Sequence, residues 1–138
     1  DALIERETGI YLTGIAETLA EHPADPLAGM TAAAEYTLRT AGDNTLIKAV
    51  LSARQDGDTA LLPALVSDPE PVLGRAVAAL TATVREQYEF AAMTDDELIS
   101  IVEIMVRLTL SHLFQPTGSA DRAVAQIGAV LSAVMPAA

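Results

Sequence analysis

One segment restricts the possible folds more than any other. From Asp95 to Gln115 the chain reads DDELISIVEIMVRLTLSHLFQ. Wound as a helix, it gathers its strongly polar residues Ser100, Glu103, Arg107 and Ser111 onto a single narrow stripe. The rest of the circumference is Leu, Ile, Val, Met and Phe, with the less polar Thr109 and His112. A helix that is apolar around most of its girth must be covered on more than one side. Its own domain supplies one side. In a chain of 138 residues few helices remain for the other, so a partner subunit is the economical cover.

The flanking sequence supports helices throughout. Thr94-Asp95-Asp96-Glu97 has the T-x-x-E spacing of a capping box, with acids at the positive helix end. After the turn residues Pro116, Gly118 and Ser119, a last helix is expected from about Ala120 to Val134. Its large side is Val124, Ile127, Leu131 and Val134, and its back is small: Ala125, Gly128, Ala129, Ser132 and Ala133. Small residues permit a close crossing. Upstream, Ala2–Glu21 carries a stripe of Ile4, Thr8, Tyr11, Leu12, Ile15 and Leu19, with Leu3 and Ile10 off it. His22-Pro23 stops that helix. Asp25-Pro26 reads as N-cap and first helical residue of a helix to about Ala41, striped by Leu27, Met30, Ala34, Leu38 and Ala41. Glu35 and Arg39 pair outside that stripe.

Gly42 ends the second helix, and Asp43 or Asn44 caps a short one over Thr45–Leu51. A polar loop, Arg54–Asp58, and an apolar turn, Leu61–Val66, follow. Ser67-Asp68-Pro69-Glu70 then opens a long helix to about Ala91, with Leu73, Val77, Leu80, Val84, Tyr88 and Ala91 on one face. No strand pattern, repeat or inter-domain linker competes. The expectation is one all-α domain over residues 1–138, a bundle of about six to seven helices.

Charge and composition narrow the function. Nineteen acidic residues against eight basic ones give a net charge of −11, so a phosphate backbone would be repelled from this domain. With no cysteine, disulfides and thiolate metal sites are excluded. His22 and His112 have no ligand partner at i+3 or i+4, and no Ser-His-Asp set, nucleophile elbow or Gly-rich phosphate loop is present. No metal, cofactor or catalytic residue is therefore assigned. The longest uncharged stretch, Ala123–Ala138, is too short to span a bilayer comfortably and is interrupted by Gln126 and Pro136. A cytoplasmic domain that does not engage a membrane is expected.

Several polar or polarizable residues fall on faces that must look inward: Tyr11, Met30, Thr37, Thr81, Gln87, Tyr88, Thr109 and His112. Each alone reads as a satisfied core residue. Together they describe an apolar cavity with a few convergent hydrogen-bonding groups, as small-ligand sites have. Ile15, Ala34, Val84 and Met105 share those faces, and complete the expected ligand-lining set.

The run from Asp95 to Pro136 resembles the C-terminal region of TetR-family transcriptional regulators. The likeness lies in VRLTLSHLF (Val106–Phe114), the Pro-, Gly- and Ser-containing turn, and a final helix ending near Pro136. The order of the earlier helices fits as well. The resemblance implies a body that binds a small apolar or aromatic effector and forms a homodimer through its last two helices. The expected seam is Ile101, Ile104, Leu108, Phe114, Val124, Ile127, Gly128 and Leu131. It also implies an N-terminal helix-turn-helix head as the only part that touches DNA. No segment here has that compact tri-helical form with a basic recognition helix, so the head is expected to be missing by truncation, cleavage or mobility. Leu3 and Ile10 would then face it. A repressor's sensing domain is the leading reading, and a free-standing helical carrier of an apolar metabolite is the alternative.

Overall fold

The computed structural model describes residues 2–40 and 73–136. Residues 41–72 lie outside it, and with them the expected Thr45–Leu51 helix, the Leu61–Val66 turn and the Ser67–Glu70 capping box; the side chains of Leu3 and Ile4 are also outside it. Five helices are present among the described residues: α1 (Ala2–Ala20), α2 (Pro26–Thr40), α3 (Arg75–Gln87), α4 (Asp95–Phe114) and α5 (Ala120–Val134). No strand occurs among them. The fold is all-α, as expected, with fewer helices in view than six or seven.

Helix starts follow local chemistry. Asp25 Oδ1 accepts the Ala28 N–H at 3.1 Å, so α2 begins at Pro26. At α4 the capping box is complete: Thr94 Oγ1 accepts the Glu97 N–H at 3.2 Å, and the Glu97 carboxylate accepts the Thr94 N–H at 3.1 Å. Ser119 accepts the Arg122 N–H at 3.2 Å and opens α5.

One helix end departs from expectation. The α3 stripe was expected to continue to Ala91, but the helix stops at Gln87 and Tyr88 is extended. Ala91 is consequently exposed rather than in the core. The cause is tertiary. The Tyr88 ring turns into the corner between α1 and α2, where its hydroxyl lies 2.9 Å from the Leu19 carbonyl and 2.8 Å from that of His22. Carbonyls at a helix C-terminus lack intrahelical donors, and the phenol supplies one.

Contacts between elements define the architecture. α1 touches α2 and α3, and α4 touches those same two. The four helices close a ring, and α5 lies in the groove between α2 and α4. Ile15 and Leu19 of α1, Met30, Ala33 and Ala34 of α2, Val77, Leu80 and Val84 of α3, and Leu98, Val102, Met105 and Val106 of α4 fill the ring centre. α5 adds Ile127 and Leu131, both wholly enclosed. Two arginines brace the outside: Arg85 pairs with Asp95 at 3.0 Å, and Arg39 pairs with both Glu35 and Asp121, the latter joining α2 to α5.

α4 proves to be the central element, packed by α2, α3 and α5 of its own protomer. The expectation that one domain could cover only one side of it needs correcting. Periodicity measures how wide an apolar arc is, and three helices of the same chain divide this one. What stays partly open is Ile99, Ile104, Leu108, Leu110, Leu113 and Phe114, flanking the polar stripe. The Glu103–Arg107 pair forms on that stripe at 2.8 Å, exposed to solvent.

Candidate functional site in the four-helix ring

Every helix of the ring contributes to the centre, where ten of the eleven expected ligand-lining residues meet or border one buried cluster. Ile15, Met30, Ala34, Val84 and Met105 are buried there, and Tyr11 packs against them half-buried. Thr37, Thr81 and Thr109, one each from α2, α3 and α4, are the buried polar residues among those described. Tyr88 is buried in the same cluster at the end of the ring, where it also lines an open cleft of about 380 Å³ with Arg85, Phe90, Met93 and Leu98. His112 faces away from the centre and lines a second cleft of about 220 Å³ with Leu38, Leu113, Pro116 and Arg122. Its position follows from α4's length: three residues beyond Thr109 the helix has passed the ring and reached the α4–α5 turn.

The inward hydroxyls are all engaged. Thr37, Thr81 and Thr109 bond the carbonyls one turn back, those of Ala33, Val77 and Met105, at 3.1, 2.7 and 2.7 Å. The Tyr11 hydroxyl meets Thr37 Oγ1 at 2.5 Å, and its ring lies 6.0 Å from that of Tyr36, centroid to centroid. No buried side-chain oxygen or nitrogen lacks a partner among the described residues. Burial pushes the Tyr11 phenol up from its ordinary value, with the Thr37 bond opposing and Tyr36 reinforcing. Burial likewise raises Tyr88, and the nearby Asp25 charge adds to it.

Two glycines make this packing possible, and sequence reasoning missed both. A Cβ on Gly29 would stand 2.0 Å from the Tyr88 hydroxyl oxygen. One on Gly14 would stand 2.1 Å from that of Tyr36. Mid-helix glycines without such clearance to provide are merely unfavourable; the pairing of each with a tyrosine on another element was the only available signal.

The expected dimer seam divides in two. Ile101, Ile127 and Leu131 are enclosed by the protomer itself, and Gly128 lies against Thr31 of α2, whose Cγ2 would be 3.3 Å from an added Cβ. These four serve the protomer's own packing, because α5 turns its large side into the α2–α4 groove. Ile104, Leu108, Phe114 and Val124 keep accessible surface. Around α5 the exposed residues include Ala125, Ala129, Ser132 and Ala133. At the other end, Ile10 of α1 is half exposed.

The family model described as the bacterial tetracyclin repressor, C-terminal domain, matches residues 25–133. This span takes in α2 through α5. The chain belongs to that family. No curated protein and no solved structure matches it. Domains of the tetracyclin repressor C-terminal family are regulatory modules. Among the described residues no helix is long and apolar enough to cross a membrane, and no three His, Asp or Glu residues gather as a metal set.

Proposed function

We propose that this chain is the effector-sensing and dimerisation domain of a transcriptional repressor, with the ring centre as its ligand site. The observation that carries the reading is that each of four helices brings a hydroxyl into or beside an otherwise apolar core, Tyr11, Thr37, Thr81 and Thr109, with Tyr11 and Thr37 in direct contact. Such a core does not need them for stability, whereas a ligand site does. Met30 and Met105 are the flexible members of the lining and can yield to an incoming molecule. The effector is a small, largely apolar molecule. It acts through differential affinity for two arrangements of a homodimer, formed by the outer faces of α4 and α5. Contact with DNA would come only through a helix-turn-helix head outside these 138 residues, in a cytoplasmic regulator without catalytic activity.

Sedimentation at micromolar concentration tests the pairing. A dimer is expected, and Ile104→Glu or Leu108→Glu should dissociate it while leaving the helical content intact. A monomeric wild-type chain would remove the seam. A thermal-shift screen with apolar and aromatic metabolites tests the site, since binding to the folded state raises the melting point by mass action.

A further inference from the structure

We propose that Tyr88 is the latch of a two-state switch in the α3–α4 connection. Docked, as here, it holds the end of α3 at Gln87. Released, residues 88–91 join α3 as one further helical turn. The switch belongs to the protomer and stands apart from any ligand at the ring centre.

Local and tertiary instructions conflict at this point. The stripe Val77, Leu80, Val84, Tyr88 and Ala91 continues at helical intervals past the observed end of α3. Nothing directly after Gln87 tells the helix to stop. Residues 89–93, EFAAM, include no glycine, proline or β-branched residue, and Glu, Ala and Met are strong helix formers. The next boundary signal is Thr94, which caps α4. Yet Tyr88 is extended, with φ −128° and ψ 150°. Among the described residues no backbone carbonyl accepts from the N–H groups of Glu89, Phe90 or Ala91. A further turn would offer those three donors the carbonyls of Arg85, Glu86 and Gln87. Where local preference and fold disagree, a strained or functional site is the expectation.

The latch that wins this conflict is finely balanced. One phenolic proton faces two carbonyls, that of Leu19 at 2.9 Å and that of His22 at 2.8 Å, and it can serve only one of them fully at a time. Its place exists only because Gly29 carries no methyl, since a Cβ there would stand 2.0 Å from the hydroxyl oxygen. Release also changes the reach of the chain. Each residue taken from extended to helical backbone gives up about 2 Å, so a longer α3 shortens the link to α4. The turn in which the Met93 N–H bonds the Phe90 carbonyl at 3.4 Å would have to open. Arg85, in the last turn of α3, already grips Asp95 at the start of α4 through its carboxylate at 3.0 Å. The α1–α2 corner is thereby coupled to the first turn of α4.

Backbone nuclear magnetic resonance on the full chain tests the switch with two variants. Tyr88→Phe keeps the ring and removes the hydroxyl. Loss of one net hydrogen bond should raise the released population about fivefold, read as stronger relaxation dispersion at Glu89, Phe90 and Ala91 than in the wild-type chain. Gly29→Ala denies the hydroxyl its place altogether. There the carbon shifts of the same three residues should move to helical values, and their amides should exchange more slowly than in the wild-type chain. General destabilisation speeds exchange, so slowing confined to these amides has no such origin. Coil shifts with equal or faster exchange at residues 89–91 in Gly29→Ala would mean that α3 frays rather than grows, and would overturn the switch. Wild-type shifts and dispersion in both variants would overturn it as well.

Discussion

Gly29→Ala is the substitution on which helix propensity and tertiary packing disagree in sign. Alanine in the first turns of α2 should stabilise the helix by about 1 kcal/mol over glycine. The structure predicts the reverse. The new methyl would sit 2.0 Å from the Tyr88 hydroxyl oxygen and 3.0 Å from Cζ of the same ring. The ring cannot simply retreat, because Tyr88 is buried and its hydroxyl is held by the Leu19 and His22 carbonyls. Overpacking of this kind costs about 1–3 kcal/mol, and displacing the hydroxyl forfeits about 1 kcal/mol more. After the propensity gain, a net destabilisation of about 1–3 kcal/mol is expected. Urea unfolding followed by far-ultraviolet circular dichroism would read it. Tyr88→Phe alone should cost about 1 kcal/mol. Combined with Gly29→Ala it should cost less than the sum, since the clashing oxygen is gone, with a coupling of about 1 kcal/mol in the double-mutant cycle. A Gly29→Ala protein as stable as wild type, or strict additivity of the two changes, would refute the close contact.

Gly14→Ala offers a contrast: Tyr36 is less buried than Tyr88 and its hydroxyl is not held by a hydrogen bond among the described residues, so its ring can yield more readily and the same assay should show a smaller loss than at Gly29. Leu131→Ala, at a side chain without exposed surface, should cost about 2–5 kcal/mol in urea unfolding even if the dimer persists. Thr94→Ala should cost about 1 kcal/mol through loss of the α4 cap. The Glu97 carboxyl is held below its ordinary value by the Thr94 N–H and hydroxyl. Its contribution is present above the unfolded carboxyl pKa and fades as pH falls through the lower folded one, so Glu97→Gln should flatten stability against pH in the acid range. For Tyr11 and Tyr88 the sign is opposite. Their raised phenols favour the folded state below about pH 10, and that contribution is lost as pH rises through the folded value. A spectrophotometric titration should show two late-ionising tyrosines, one fewer in each of Tyr11→Phe and Tyr88→Phe.

What was legible in the sequence was local. The starts of α2, α4 and α5 follow from Asp25, the Thr94/Glu97 box and Ser119, each of which acts within three residues. The buried faces of α1 and α3 follow from spacing, since Ile15, Leu19, Val77, Leu80 and Val84 repeat at helical intervals. The end of α3 was not legible, because a carbonyl 69 residues away decides it. Nor was the coverage of α4. A one-dimensional pattern gives the angular width of an apolar surface but not how many neighbours share it, and so Ile101, Ile127 and Leu131 were expected at a seam when they fill the protomer. His112 shares Thr109's face on a helical wheel, yet axial distance carries it out of the ring, and a wheel discards that coordinate.

The Tyr88 anchor has a mechanical consequence. It fastens the end of α1, the α1–α2 corner and the end of α3 at a single place. Any rocking of α1 must pivot there, and nineteen residues of helix form a lever of roughly 28 Å. A tilt of only about 5° at the pivot would sweep the Ala2 tip through roughly 2.5 Å over that arm. Small rearrangements near the fulcrum are thus geared up toward the amino-terminal tip.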